Sequence, residues 1–268
     1  MPPQTELHER FRALHAGPAM LVMPNAWDGT SAALLKRAGF EALGSSSAAI
    51  AWALGRQDGF AAVSREEAIA NAALLSRVSG LPVNGDLEDG FGPAPEDCVA
   101  TVEASIAGGL AGLGIEDTTA RPADPIHGFD EAVGRIAAAA KAAKGRIVLT
   151  ARTDLLIQGS DDVDQAIRRL VAFAEVGADV LYATGLRSMD DVRKAIAAVS
   201  PKPVNIHVGA ALPLDVLKAA GQGRISLGGA LYGVAMAALD TAAKALFAGD
   251  QSLAIGGMPN RDIAALLA

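Results

Sequence analysis

The chain has 268 residues, 51% of them hydrophobic but only 4% aromatic, and a formal net charge of −7. That length suits one eight-fold βα barrel of roughly 250 residues, with a core of Ala, Leu, Val and Ile rather than rings. The acidic balance, without a Lys/Arg run or aromatic–basic interleaving, argues against a nucleic-acid partner, and the lone Cys98 excludes an internal disulfide framework and fits a reducing compartment. The start, Met1 to Glu6, has no basic-then-apolar signal pattern, and no apolar run approaches the length of a membrane span. The expectation is a soluble cytoplasmic protein with a small-molecule partner, no nucleic acid and no membrane.

In chain order, Glu6 to Ala16 reads as an amphipathic helix outside the main repeat. Met20 to Met23 is a first strand, and Asp28 can cap a helix that runs through Arg37 and stops at Gly39. Ala42-Leu43-Gly44 is a second strand, running into Ser45-Ser46-Ser47. Six further units follow, each a helix and then a strand: Ser64–Ser79 with Pro82–Asp86; Glu96–Ala107 with Leu113–Asp117; Asp130–Ala143 with Arg146–Arg152; Asp162–Val176 with Asp179–Ala183; Met189–Val199 with Pro203–His207; Leu214–Ala220 with Arg224–Gly228. An Ala-rich helix, Ala230 to Phe247, closes the cycle, and Asp262 to Ala268 forms a short helix in the tail. The strands are short apolar runs without alternation, as expected for strands buried on both faces. Eight of them predict the α/β class: a TIM-type (β/α)8 barrel in a single domain, 1–268, with an N-terminal extra helix. No GxGxxG follows the first strand, so a dinucleotide fold is disfavoured.

In such a barrel the working face lies at the C-terminal ends of the strands. Those positions hold Asp28, Ser45 to Ser47, Asp86 with Glu88, Glu116 with Asp117, Arg152 with Asp154, Asn205 with His207, and Ser226. Read as a strand, the segment 82–88 projects Asp86 and Glu88 to the same side. Paired carboxylates are tolerable when a cation sits between them or one holds a proton. Oxygen donors without thiolates suit a hard cation such as Mg²⁺, with Mn²⁺ as the alternative. Arg152 suits a substrate carboxylate or phosphate, and the serines and Asn205 can donate to a second anionic oxygen. Each part has a plainer reading. The serines are also turn formers, Arg152 can pair with Asp154 or Glu116, Glu116 can be structural, and His207 makes no motif alone. Cys98 reads as inert packing on an outer helix.

Absences narrow the chemistry. Lysines 36, 141, 144, 194, 202, 218 and 244 fall on helices or, for Lys202, at the far end of a strand, so no Schiff-base lysine faces the barrel. His8, His15, His127 and His207 are scattered, which disfavours a zinc centre.

The segments Pro24-Asn25-Ala26-Trp27-Asp28, Ser45-Ser46-Ser47, Gly55-Arg56-Gln57-Asp58, Asp86-Leu87-Glu88-Asp89-Gly90-Phe91-Gly92, Gly114-Ile115-Glu116-Asp117 and Ala151-Arg152-Thr153-Asp154 resemble the isocitrate lyase/phosphoenolpyruvate mutase superfamily over nearly the whole chain. The resemblance implies a homo-oligomer, tetramer or dimer, with the last helix exchanged between subunits, and Mg²⁺ with a 2-oxo acid, 2-hydroxy acid or phosphonate. By position it implies Asp86 as direct metal ligand, and Asp58, Glu88 and Glu116 as acids holding the metal's waters. Arg152 would be the substrate clamp, with Ser46 and Ser47 on the substrate carboxylate beside Ser45, and Asn205 in the pocket. Arg152, Glu116 and Asp58 are the expected catalytic residues. The lyases' Lys-(Lys/Arg)-Cys-Gly-His loop and the mutases' Lys-x-Asn are replaced here by Thr118 to His127, with no Cys or Lys. Arg121 and His127 are then candidate proton donors. The expected activity is that of a Mg²⁺-dependent lyase on a small 2-hydroxy or 2-oxo (di)carboxylic acid, through a metal-stabilised enolate, by C–C cleavage or decarboxylation. The alternatives are phosphonomutase or phosphonopyruvate-hydrolase C–P chemistry, and a non-catalytic 2-oxo acid-binding barrel.

Overall fold

A computed structural model describes residues 2–59, 62–119, 121–209, 211–220 and 223–268; Met1 and Ala120, within stretches read above, lie outside them. Eight parallel strands form one sheet: β1 (Met20–Val22), β2 (Leu43–Gly44), β3 (Val83–Asp86), β4 (Gly112–Glu116), β5 (Val148–Thr153), β6 (Val180–Ala183), β7 (Val204–His207) and β8 (Gly223–Ser226). Their order is β1-β8-β7-β6-β5-β4-β3-β2. A bridge from Asn25 to Gly44 joins the two ends, so the sheet curls into the expected TIM-type barrel.

The helices are α1 (Gln4–Ala16), α2 (Gly29–Arg37), α3 (Ser47–Ala53), α4 (Arg65–Ser79), α5 (Pro95–Ala107), α6 (Phe129–Ala143), α7 (Val163–Glu175), α8 (Met189–Val199), α9 (Leu214–Lys218), α10 (Ala230–Phe247), α11 (Ser252–Ile255) and α12 (Asn260–Leu266). Asp28 caps α2 as expected, its Oδ1 accepting from the Ser31 N–H at 2.7 Å. Such a cap contributes about 1 kcal/mol. The chain can leave α4 sharply because Gly80 adopts φ +66°, a left-handed cap open to glycine. Two helices escape the sequence reading: α3, seven residues soon after β2 and capped by Ser46, and the four-residue α11.

α1 plugs the N-terminal end of the barrel. Leu7 and Phe11 pack with Leu21, Ala42, Ala111, Val148 and Val180 from the strand starts. His15, also on α1, is buried there with Nδ1 donating to the Phe11 carbonyl at 2.8 Å. Its Nε2 faces the Arg224 guanidinium at 3.5 Å, so the ring is the neutral tautomer. Burial first, and Arg224 second, push its pKa down to about 3. Protonation therefore opposes folding. The stability this neutral ring secures is complete above the unfolded value of 6.5 and is lost as pH falls from there toward 3. We expect His15→Phe to flatten the decline in unfolding free energy between those values, by up to about 1.4 kcal/mol per pH unit. Urea melts at several pH values measure this; an unchanged slope would refute it.

At the other extreme, α10 is barely covered. Val234 is 66% exposed, Leu239 61% and Phe247 98%. Its start is held by Tyr232 against Trp27 and Trp52 at ring distances of 5.4 and 5.7 Å, and it also packs against α11. Contrary to the sequence expectation, this 18-residue helix is long and apolar enough to cross a membrane, with a mean hydropathy of 1.3.

Candidate active site

Most of the candidate residues come from strand ends at the C-terminal mouth. Parallel register sets Glu116 of β4 opposite Arg152 of β5, Arg152 opposite Tyr182 of β6, and Tyr182 opposite Asn205 of β7. Register partners share a face of the sheet, so these four side chains turn inward together. Arg152 is the hub. Its Nε and Nη2 grip Asp154 at 2.5 and 2.7 Å, a two-pronged pair that fixes the plane of the guanidinium. Its Nη1 stands 3.0 Å from Glu116 Oε2 and 3.6 Å from Asp86 Oδ1. The Tyr182 ring lies 5.4 Å from the guanidinium carbon. The plainer reading of Arg152, an ion pair with Asp154 and Glu116, is thus also realised.

Glu116 is held well above the usual carboxylate range, first by burial, although Arg152 and a 2.8 Å bond from Thr118 Oγ1 oppose the shift. Asp58, on the loop after α3, is raised by partial burial, with the charge of Asp86 adding to it. Burial leads both shifts, and neighbouring carboxylates add to each.

The structure brings together most of the expected residues, in two adjoining cavities that share Arg152. Ser47, Asp58, Glu88, Glu116 and Asp154 line one, of about 230 Å³. Ser45, Asp86, Tyr182, Asn205 and Arg224 line the other, which is narrower and descends into the barrel. Asp86 and Glu88 do not project side by side from a strand, because β3 ends at Asp86 and Glu88 adopts φ +47° in the turn beyond it. The serines also divide their work. Ser46 caps α3, Ser45 Oγ accepts from the Asp86 N–H at 2.8 Å, and Ser47 donates from both N and Oγ to Asp86 Oδ2 at 2.9 and 3.0 Å. Asn205 donates to Ser226 Oγ and accepts from Arg224 Nε.

Two loop candidates are engaged elsewhere. Arg121 is exposed and pairs with Asp124 at 3.0 Å, and His127 is buried 3.0 Å from Glu131. Thr118, Thr119 and Pro125 are what this loop presents to the cavity. Cys98 is inert as expected, buried, with its thiol pushed up to about 11. Lys202 donates to the Ala174 and Ala178 carbonyls at 2.7 and 2.6 Å, away from the mouth.

Donor chemistry fits a hard divalent cation: oxygen ligands only, in excess of the local positive charge. Among the described residues, however, no three acids, histidines or cysteines are grouped closely enough to hold an ion. Asp86 and Glu116 face the guanidinium instead. Tyr182 and Arg224 escaped the sequence reading. Tyr182 sits inside an apolar strand run and Arg224 at the start of one, and the register and cross-barrel hydrogen bonds show that they turn inward.

A closed parallel barrel with polar and charged side chains gathered at the C-terminal mouth is the architecture of an α/β-barrel enzyme. Residues 11–247 match the family model for phosphoenolpyruvate phosphomutase. The 2-methylisocitrate lyase of Bacillus subtilis (strain 168) is 32% identical over 197 residues, which are 71% of this chain and 64% of that protein. The oxaloacetate decarboxylase of Ectopseudomonas mendocina (strain ymp) is 33% identical over 202 residues, 72% of this chain and 68% of that one. The chain thus spans about two thirds of the length of these relatives. The crystal structure of 2,3-dimethylmalate lyase superposes with a TM-score of 0.87 at 27% identity, covering 100% of this chain and 96% of that one. The chain belongs to the phosphoenolpyruvate phosphomutase family, in the superfamily of lyases and mutases shared with isocitrate lyase.

Proposed function

We propose that this protein is a Mg²⁺-dependent lyase that breaks a C–C bond, by cleavage or decarboxylation, in a small 2-oxo or 2-hydroxy dicarboxylic acid. The observation that carries the reading is Arg152, locked on Asp154 with its Nη1 edge turned toward Asp86, Glu116 and the open cavity. That edge offers a fixed positive donor to an oxyanion, and preorganised charge of this kind commonly supplies the largest part of a rate enhancement. Asp86 would hold the metal, with Asp58, Glu88 and Glu116 around its waters. When bound, Mg²⁺ supplies a Lewis acid for oxygens that gain charge as the bond breaks. Burial biases Glu116 toward its protonated form, and Tyr182 brings a second proton-bearing group to the site. Together they answer the absence of a Cys or Lys in the 118–127 loop.

The relatives support the substrate class, since those above are named for 2-methylisocitrate, oxaloacetate and 2,3-dimethylmalate. The family model's own name favours a second reading, C–P bond chemistry on a phosphonate. Consumption of phosphonopyruvate, with none of oxaloacetate or 2-methylisocitrate, would select it. The bare face of α10 supports a homo-oligomer in which this helix packs on another subunit.

A thermal melt tests the site without knowledge of the substrate. Oxalate, an enolate mimic, should raise the midpoint only when Mg²⁺ is present, by on the order of 5 °C at a hundredfold excess over its dissociation constant. A midpoint that ignores both together would favour a non-catalytic barrel.

A further inference from the structure

Arg224 is the anomaly of the barrel interior. It is 2% exposed, and no carboxylate is among its partners in the described residues. The other deeply buried arginines each face one: Arg169 stands 3.0 Å from Asp117, and Arg135 3.9 Å from Asp89. Arg224 has only neutral acceptors. Nε donates to Asn205 Oδ1 at 2.7 Å, Nη2 to Thr150 Oγ1 at 3.0 Å, and Nη1 to Asn84 Oδ1 at 3.3 Å. A buried cation without a counter-ion is costly, and its surroundings are electrostatically ready for an anion. Burial lowers its pKa only to about 9, so the charge persists at neutral pH.

Arg152 and Arg224 both line the narrow cavity. It has room for about 60 Å³ of small groups, and its hydroxyls are set to donate. Ser226 Oγ accepts from Asn205 and Ser45 Oγ accepts from the Asp86 N–H, which leaves both O–H groups for the cavity. Arg224 Nη2 spends one N–H on Thr150 and has a second. Thr150 lies two residues below Arg152 on β5, a rise of about 7 Å along a strand. Arg224, bonded to Thr150, therefore lies one layer of side chains below Arg152 along the same cavity.

We propose that the floor of this cavity, built on Arg224 with Ser45 and Ser226, is a carboxylate subsite, and that the substrate is a dicarboxylate whose second carboxylate sits there while its reacting end lies at Arg152. The proposal rests on the reading of the mouth given above, and it adds the determinant that separates dicarboxylates from monocarboxylates.

Calorimetric titration of the Mg²⁺-loaded protein tests it with three probes. Malate and 2-hydroxybutyrate share the 2-hydroxy acid end and differ in the terminal carboxylate; oxalate is too short to reach the floor. Wild type should prefer malate over 2-hydroxybutyrate by about tenfold or more, and Arg224→Gln should erase that preference while oxalate affinity stays within about twofold. Should Arg224→Gln fail to fold, Ser226→Ala should reduce the same ratio. Oxalate binding with no malate preference in wild type, or an undiminished preference in the folded variant, would overturn the subsite and leave the mouth reading standing. Failure of oxalate to bind wild type would overturn both. Formate that lifts 2-hydroxybutyrate to the affinity of malate would overturn the dicarboxylate assignment, because the subsite would then hold a free anion.

Discussion

Replacing Asp86 by alanine is expected to lower turnover by at least about 10²- to 10³-fold while the barrel stays folded. Asp86 is where the site's elements meet. Both Ser47 donors end on Oδ2, Oδ1 faces Arg152, and its own N–H reaches Ser45. In the proposed enzyme it is also the direct metal ligand, so its loss removes the anchor for the charge that stabilises the broken bond. Glu116→Gln should lose activity to a similar degree with little change in stability, because the buried acid is already biased toward its neutral form. The measurement is the rate on oxaloacetate, 2-methylisocitrate and phosphonopyruvate, with circular dichroism to show that each variant folds. Turnover that survives Asp86→Ala or Glu116→Gln would remove these carboxylates from the chemistry.

The barrel was legible because its strands are unbroken apolar runs with glycine-ended helices before them, a pattern that depends on local burial alone. The row of strand-end acids was legible for the same reason: once the strands are placed, Asp86, Glu116 and Arg152 must fall at one mouth. What needs partners across the barrel was not. The orientation of Glu88 depends on a positive φ that period-two counting does not anticipate. The attachment of Ser47 to Asp86 spans 39 residues and is invisible to any local rule. Arg224 illustrates the limit best. At the start of a predicted strand an arginine reads as a solvated end, yet the register turns it inward, onto Asn84, Thr150 and Asn205 from three other strands. Similarly, α10 reads as an ordinary closing helix, and only the structure shows how little of it is covered.

Arg169→Met is expected to destabilise the fold by about 3–5 kcal/mol, the cost of removing one partner from a buried ion pair. Asp117 follows Glu116 directly in sequence, yet its role differs. Its Oδ2 lies 3.0 Å from Arg169 Nη1, its Oδ1 accepts the Asp154 N–H at 2.9 Å, and Arg169 Nη2 reaches the His127 carbonyl at 2.9 Å. This pair ties the end of β5 to the 118–127 loop and so holds Asp154 under Arg152. Burial already raises the Asp117 carboxyl even with Arg169 present. Without the guanidinium it rises further. An acid raised in the fold favours the native state when protonated, so the variant should recover stability as pH falls below the new value, and lose it as pH rises through that value. Asp117→Asn together with Arg169→Met should regain more than half of the loss, because no charge is then left unpaired. Urea unfolding of the single and double variants at two pH values measures each term. A single variant that costs less than about 1 kcal/mol would mean that water or another cation already serves Asp117. Destabilisation without recovery in the double variant would place the loss in packing of the arginine stem instead. Either way the contrast with Glu116→Gln separates two neighbouring acids: Asp117, which holds the scaffold, and Glu116, which faces the cavity.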